Sequence, residues 1–236
     1  DWNRRPPKPL WAARNLGEGY SSVAVADRRV YTMGTRSGKE MLVALDLQDG
    51  RELWATPMGN VFQEGQGNGP RGTPTVDGDR IYALGADGEL ICVDAKNGRP
   101  FWQKNILREF QGSNITWGIT ESVLVDGEKV ICSPGGSQAT MVALNKQNGN
   151  VIWRSMIPGN PKASYSSPIA IQVDGVWQYV TYTSQSTVGV RAEDGQFLWQ
   201  ENSSSNGTAN CSSPVFMESF VYTSSGYGTG GALLAL

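Results

Sequence analysis

A short frame, D-x-x-x-G-x-x-x-W, recurs four times along this chain of 236 residues. The tryptophans that close the four copies lie 48, 51 and 46 residues apart and are Trp54, Trp102, Trp153 and Trp199. The first position of the frame is held in turn by Asp46, Asp94, Asn145 and Arg191. A period of this length indicates a repeat architecture, in which each unit buries its apolar face against its neighbours.

A second landmark keeps nearly the same period. Each unit opens with a small hydroxyl residue ahead of an apolar run, and these five anchors are Ser22, Thr73, Ser122, Ser167 and Ser213. Successive anchors are 51, 49, 45 and 46 residues apart. Because two independent landmarks share one spacing, the repeat covers nearly the whole chain.

Each unit is predicted to form four short β-strands. Pairs such as Asp77-Gly78 separate the first two apolar runs of a unit, and pairs such as Asp49-Gly50 separate the last two. These pairs tolerate the positive φ that tight hairpin turns require. Only KNILREF, residues 104–110, hints at a helix. Four strands and one tryptophan per unit predict an all-β protein, a β-propeller of four-stranded antiparallel blades in a single domain over residues 1–236.

The frame residues have a structural interpretation. The tryptophan ends the outermost strand, where its ring is expected to cover the gap between neighbouring blades. The glycine is expected to form the turn that aims this ring, and the aspartate to accept hydrogen bonds from the backbone of the turn. Cys92 and Cys132 lie in apolar runs and are expected to be buried in strands.

The strings ALDLQDGRELW and CVDAKNGRPFW resemble the tryptophan-docking motif of the pyrroloquinoline quinone (PQQ) type β-propellers. The four copies extend this resemblance over nearly the whole chain, and it is closest to bacterial periplasmic or secreted repeat proteins of this type. It implies seven or eight blades, whereas about five are present, at approximately 20–56, 72–104, 120–155, 165–201 and 212–236. The expected arrangement is a fragment of a larger propeller. The alternative is a five-bladed ring closed by a strand near residues 9–13, around Trp11.

Composition excludes several functions. The chain has no histidine, which excludes His-dependent nucleophile systems, metal sites and acid–base catalysis. A net charge of −2 argues against a nucleic-acid partner, which would need a basic surface. No apolar run is long enough for a membrane span, and no signal peptide opens the chain.

Candidate ligand-binding residues come from the loops that link one unit to the next. Two of these loops, residues 58–72 and 105–121, are longer than a connection requires, and long loops on a rigid scaffold often carry function. The first holds Arg71, which would bind a carboxylate or pair with Glu64. The second holds Trp117, which breaks the repeat frame, and Glu121, which is expected to point to the channel. Tyr165 precedes the Ser-Ser-Pro strand of the fourth unit as Tyr20 precedes the Ser-Ser-Val strand of the first, and repeat packing is the structural alternative for both tyrosines.

The favoured function is a non-catalytic scaffold in the periplasm or outside the cell, with a protein, glycan or small-molecule ligand at its loop face. The alternative, which the resemblance implies, is a quinoprotein alcohol dehydrogenase that uses PQQ and calcium, with Trp117 stacking on the quinone. The chain lacks that family's adjacent cysteine pair and any cluster of calcium carboxylates, so no catalytic or metal residue is assigned. A third hypothesis, a hydrolase or lyase using Glu64 and Glu121, has no support in their spacing.

Overall fold

A computed structural model describes residues 4–236 as a row of five antiparallel β-sheets. Each sheet is one blade, and within every blade the strands follow one another in chain order. Blades 1 and 2 contain β1 (Ala24–Ala26), β2 (Arg29–Arg36), β3 (Lys39–Asp46), β4 (Glu52–Asn60), β5 (Thr75–Asp77), β6 (Arg80–Leu84), β7 (Glu89–Asp94) and β8 (Pro100–Asn105). Blades 3 and 4 contain β9 (Leu124–Asp126), β10 (Lys129–Cys132), β11 (Met141–Asn145), β12 (Val151–Ser155), β13 (Ile169–Val173), β14 (Val176–Tyr182), β15 (Thr187–Arg191) and β16 (Phe197–Glu201). Blade 5 contains β17 (Val215–Met217), β18 (Phe220–Ser225) and β19 (Gly230–Ala235).

The all-β propeller architecture is confirmed. The helical hint corresponds to a single turn, α1 (Ile106–Glu109), in the loop after blade 2. Asn105 caps this turn by accepting a hydrogen bond from Arg108 N at 2.8 Å. Cys92 and Cys132 are buried in β7 and β10, as expected. No helix among residues 4–236 is long and apolar enough to cross a membrane.

The frame tryptophans fasten each blade to the next one. The indole N–H of Trp54 donates to Ala95 O at 3.2 Å, which lies in the frame turn of the following blade. The same bond recurs from Trp102 to Lys146 O at 3.0 Å and from Trp153 to Ala192 O at 3.2 Å. These three rings therefore each close a junction between blades, as the sequence predicts, whereas the indole N–H of Trp199 donates to Gln178 Oε1 of its own blade at 2.8 Å.

The frame glycine forms its turn and also receives a tryptophan. Gly98 has a φ of +73°, and its N–H donates to Asp94 O at 2.8 Å within the predicted turn. It also lies beneath Trp54 of the preceding blade, so that a Cβ atom there would stand 2.5 Å from the Cε3 atom of the ring. A register shift accompanies the tryptophan in its own strand pair, seen for example between Cys92 and Val93 of β7 where they face Trp102 and Pro100 of β8. A β-bulge of this kind bends the strand and redirects a side chain.

The turn beneath each tryptophan is fixed by its first residue. Asp46 Oδ1 accepts a hydrogen bond from Gln48 N at 2.7 Å. The Oδ1 atoms of Asp94 and Asn145 likewise accept from the backbone N–H of the residue two positions later. This agrees with the expected role of the aspartate. Arg191 cannot accept such a bond; its guanidinium instead forms an ion pair with Asp194, at 2.6 Å.

Apolar cores fill the junctions between blades. The largest fully buried rings include Tyr31, Tyr82 and Tyr179, and each lies 6.0 to 6.1 Å from a frame tryptophan. In contrast, the side chains of Val215, Tyr222 and Leu233 are exposed on the face of blade 5 that points away from blade 4. The packing is therefore concentrated between blades, with one apolar sheet face left uncovered in the described chain.

The segment around Trp11 differs from its prediction. Residues 9–13 form no strand, and blade 5 contains only β17 to β19 among the described residues. Trp11 instead occupies the docking position on blade 1, with its ring over Gly50 and its Nε1 atom 2.9 Å from Leu47 O. Trp11 thus docks on blade 1 as the tryptophan of a preceding blade would, which fits either alternative, while residues 9–13 pair with no described strand of blade 5.

Candidate functional site

The loops that lead into the five blades meet around one cavity of about 520 Å³. We call the end of the blades where these loops lie the entry face. The residue two positions before each anchor lines the cavity, so every blade contributes one side chain: Tyr20, Arg71, Thr120, Tyr165 and Cys211. The loops add Glu64, Gln66, Trp117, Ala209 and Tyr227. The repeat itself therefore builds the cavity.

The anchors hold these loops in register from blade to blade. Thr73 N donates to Ser122 Oγ at 2.9 Å, Ser122 N donates to Ser167 Oγ at 2.9 Å, and Ser167 N donates to Ser213 Oγ at 3.3 Å. Each hydroxyl satisfies a backbone N–H of the preceding blade. A small hydroxyl residue at each anchor thus fixes the spacing of the cavity-lining positions.

Arg71 is held by its own loop. Its guanidinium donates to the carbonyl oxygens of Gly67 and Gly69 and lies over the rings of Tyr20 and Phe62, at 5.3 and 5.0 Å from their centroids. Among the ion pairs of residues 4–236, none joins Arg71 to Glu64, so the pairing considered from sequence is absent. The guanidinium shapes the wall of the cavity while it places a positive charge there.

Glu64 supplies the carboxylate of the cavity. Its Oε2 atom accepts a hydrogen bond from Gln66 N at 2.7 Å, and its own N–H donates to Asn68 Oδ1 at 3.2 Å. The hydroxyl of Tyr20 donates to Gln66 O at 2.9 Å, which ties the first entry loop to the second. The carboxylate therefore faces the cavity from a loop that is braced by hydrogen bonds.

Aromatic rings line the opposite wall. The rings of Trp117 and Tyr165 are tilted at 49° with centroids 5.6 Å apart, and Tyr227 of blade 5 lies beside them. Burial raises the pKa of the Tyr165 hydroxyl, so the phenol stays neutral over the physiological range. This wall can pack against an apolar or aromatic group and offer a hydroxyl to it.

Glu121 does not line the cavity. Only 2% of it is exposed, and its Oε2 atom accepts a hydrogen bond from Ser133 N at 3.0 Å inside blade 3. Ser21 makes the equivalent bond in blade 1, where its hydroxyl accepts from Met33 N at 3.2 Å. The expectation that Glu121 points to the channel fails because its side chain, like that of Ser21, faces its own blade, while the position two before each anchor faces the cavity.

Burial raises the pKa of two carboxyl groups to near neutral pH. It raises the pKa of Glu121 to about 8, against the opposing effect of its hydrogen bond with Ser133, and the Oε1 atom has no partner. It also raises the pKa of Glu40 to about 7, although Phe62 N and Ala86 N both donate to that carboxyl. Both groups favour the protonated form in the folded protein.

These shifts predict how stability depends on pH. Both carboxyls have an ordinary value of 4.5, so between pH 4.5 and about 8 the folded state binds more protons than the unfolded chain. The free energy of unfolding should therefore fall as the pH rises through this window and then level off. Urea unfolding from pH 5 to 9 measures this, and Glu121→Gln, which is neutral at every pH, should show a smaller fall.

The exposed Glu193 provides a matched control, because Glu193→Gln removes a carboxylate without touching either buried group. This variant should keep the pH profile of the parent protein. A profile of Glu121→Gln that is as steep as that of the parent would contradict the assignment of the pH dependence to Glu121.

Sequence inspection identified four of the cavity residues, namely Glu64, Arg71, Trp117 and Tyr165. It missed Thr120 and Cys211, and it took Tyr20 as repeat packing. All five cavity residues contributed by the repeat can be recognised because each lies two residues before its anchor. Gln66, Ala209 and Tyr227 follow no repeat position and carry no such signal.

Comparison with known proteins identifies two groups of relatives. A family model described as outer membrane protein assembly factor BamB matches residues 2–116 and 38–235. BamB of Burkholderia pseudomallei is 41% identical over 118 residues, which are 48% of this chain and 27% of that protein. The quinoprotein alcohol dehydrogenase PedH of Pseudomonas putida is 25% identical over 167 residues, which are 68% of this chain and 27% of that protein. The matched segments therefore span about a quarter of the length of each relative.

Solved structures show the same fold. BamB from Moraxella catarrhalis superposes with a TM-score of 0.59 at 20% identity, covering 91% of this chain and 58% of that one. A quinohemoprotein alcohol dehydrogenase from Comamonas testosteroni gives a TM-score of 0.58 at 14% identity and covers 86% of this chain and 39% of that one. At these sequence identities the two structures support the propeller fold alone. The chemistry of the cavity has to be argued from its own residues.

Proposed function

Because the chain belongs to the family of outer membrane protein assembly factor BamB, we propose that it is a non-catalytic β-propeller scaffold whose entry face binds a protein partner during outer membrane protein assembly. We place this activity in the periplasm. Relatives in this family are outer membrane protein assembly factors, and a periplasmic location suits a protein of that role.

The composition of the cavity is the observation that carries the proposal. One side chain from each of five blades converges there, and three tyrosines and a tryptophan supply large contact area with few rotatable bonds. The charged groups are Glu64 and Arg71, and both are engaged by backbone groups of their own loop. Such a surface suits recognition of a protein segment, because aromatic anchors surrounded by fixed polar groups are typical of binding sites.

The alternative, a PQQ- and calcium-dependent dehydrogenase, fits these residues poorly. Calcium takes six to eight oxygen ligands, among them several carboxylates, whereas the cavity has the single carboxylate of Glu64. Over residues 4–236 no group of three or more His, Cys, Asp or Glu side chains is placed to hold a metal. Trp117, the expected stacking residue, is packed at a tilt against Tyr165. We therefore derive no redox step for this cavity.

Site-specific photo-crosslinking tests the proposal. A photoreactive residue in place of Gln66, at the edge of the cavity, should crosslink the chain in the periplasm of Gram-negative cells to a component or a client of outer membrane protein assembly. The same residue in place of Gln147, which is exposed in a turn at the opposite end of blade 3, is the matched control. Equal crosslinking from both positions would contradict a role for the entry face.

A PQQ titration separates the two functions. With and without calcium, the tryptophan fluorescence of the folded chain should show no saturable quenching. Calcium-dependent quenching that disappears in Trp117→Ala would instead support the quinoprotein alternative and would call for dye-linked alcohol oxidation assays.

A further inference from the structure

A second surface lies at the other end of the blades, between blades 3 and 4. Here a groove of about 540 Å³ opens beside the hairpin that joins β9 to β10. We call it the 3–4 groove, and the residues that define it are Asp126, Glu128, Ile152, Trp177, Ala192 and Glu193. Trp177 is 52% exposed and Ile152 is 43% exposed, so two large apolar side chains stand open to solvent in one place.

The equivalent position between blades 2 and 3 is filled. There the ammonium of Lys146 lies 3.0 Å from the carboxylate of Asp77, and the guanidinium of Arg80 covers the ring of Phe101 at 3.9 Å. The lysine follows the first residue of its frame and reaches back across the junction to the carboxylate of the preceding blade. The chain thus shows which groups close such a position.

The groups that would close the 3–4 groove are replaced. Ala192 takes the place of Lys146 in the repeat, so Asp126 meets no lysine from the next blade and its Oδ2 atom accepts a hydrogen bond from the Tyr179 hydroxyl at 2.6 Å. Ile152 takes the place of Phe101. The groove therefore keeps a carboxylate that meets no lysine of the next blade, whereas the carboxylate of its counterpart is ion-paired.

Trp177 comes from an extension of the hairpin in blade 4. In blade 3 the last pair between β9 and β10 is Asp126 with Lys129. Lys129 also pairs with the last residue of β11, so the hairpin ends level with β11. In blade 4 the pairing of β13 with β14 continues beyond the equivalent point for two more residue pairs, one of which is Gln172 with Trp177. This extension carries the tryptophan to the edge of the groove.

The charges around the groove are mainly negative. The residues that line it include the carboxylates of Asp126, Glu128 and Glu193 and the ammonium of Lys129. Glu128 lies 3.7 Å from Lys146 and keeps 69% of its side chain exposed, so it remains accessible from the groove. A partner with basic side chains would complement these carboxylates and would be drawn to them at low ionic strength.

We propose that the 3–4 groove binds a basic segment of a partner protein. A lysine or arginine of that segment takes beside Asp126 the place that Lys146 takes beside Asp77, and an adjacent apolar side chain packs against Trp177 and Ile152. Tryptophan is enriched among the residues that dominate binding energy, and here it borders a charged pocket of matching size. This surface is separate from the entry face, and the proposal stands independently of what the cavity binds.

Calorimetric titration with short peptides tests the proposal on this chain. The hexapeptide amide GLKLKG should bind at least tenfold more tightly than its neutral analogue GLQLQG, and its affinity should fall as salt is added. Ala192→Lys restores the lysine found in the neighbouring junction and should weaken binding of GLKLKG at least tenfold. Leu47→Lys is the matched control, because Leu47 occupies the same repeat position in blade 1 and is distant in sequence from the groove.

Trp177→Ala provides a second variant, in which an exposed side chain is removed and folding is preserved. It should also weaken binding at least tenfold, whereas Leu47→Lys should bind like the parent protein. Equal affinity for the two peptides, parent-like binding by both Ala192→Lys and Trp177→Ala, or no binding of GLKLKG at millimolar concentration would each overturn the proposal.

Discussion

Trp153→Ala should destabilise the protein by about 3–5 kcal/mol, the cost typical of deleting a buried tryptophan. Trp153 is 7% exposed, packs on Tyr179 of the next blade at 6.1 Å and donates to Ala192 O. Its removal leaves a cavity at the junction of blades 3 and 4 and an unpaired carbonyl in the docking turn. Urea unfolding followed by circular dichroism measures the loss.

Trp177→Ala is the control for this prediction. Trp177 lies in the adjacent blade but is 52% exposed, so its replacement should change the free energy of unfolding by about 0.5 kcal/mol or less. If the two variants were equally stable, the frame tryptophans would not hold the blades together.

Gly98→Ala should cost about 2–5 kcal/mol, because two penalties add at one position. An alanine at φ +73° pays about 1–2 kcal/mol for the left-handed conformation. Its Cβ atom would also stand 2.5 Å from Cε3 of Trp54 and 2.6 Å from Oγ1 of Thr56, and such overpacking costs about 1–3 kcal/mol. The midpoint of urea unfolding should fall accordingly.

Gly78→Ala separates the two penalties. Gly78 also has a positive φ, +57°, but a Cβ atom there would meet nothing within 4 Å. This variant should therefore lose only the conformational part, about 1–2 kcal/mol. If Gly98→Ala lost no more stability than Gly78→Ala, the ring of Trp54 would have to move aside without lowering the free energy of unfolding.

The sequence predicts the blades well because their determinants are local and repeated. Asx-Gly turns, alternating strands and one tryptophan per unit are each readable within ten residues, and the period confirms them. Cavity residues on the repeat follow the same logic, since Arg71 and Tyr165 stand at a fixed offset from Thr73 and Ser167. Features that follow from the repeat spacing can therefore be predicted without a structure.

Other features depend on contacts between units and escape this approach. The partner of Gly98 is Trp54, 44 residues earlier, and no local pattern reveals that pairing. The orientation of Glu121 depends on a hydrogen bond from Ser133 N, twelve residues later and directly after β10. Likewise the absence of a lysine beside Asp126 in the 3–4 groove has meaning only once Lys146 is seen beside Asp77.

The docking of each tryptophan on the following turn has a consequence for how such chains can grow. Every repeat carries one half of an interface at its end, the tryptophan, and the complementary half in its own turn, the glycine with its neighbouring carbonyl. Duplication of a single repeat in the gene therefore supplies both halves of a new junction in one event, already matched in shape and hydrogen bonding. Propellers of different blade number can arise in this way without a new interface having to evolve.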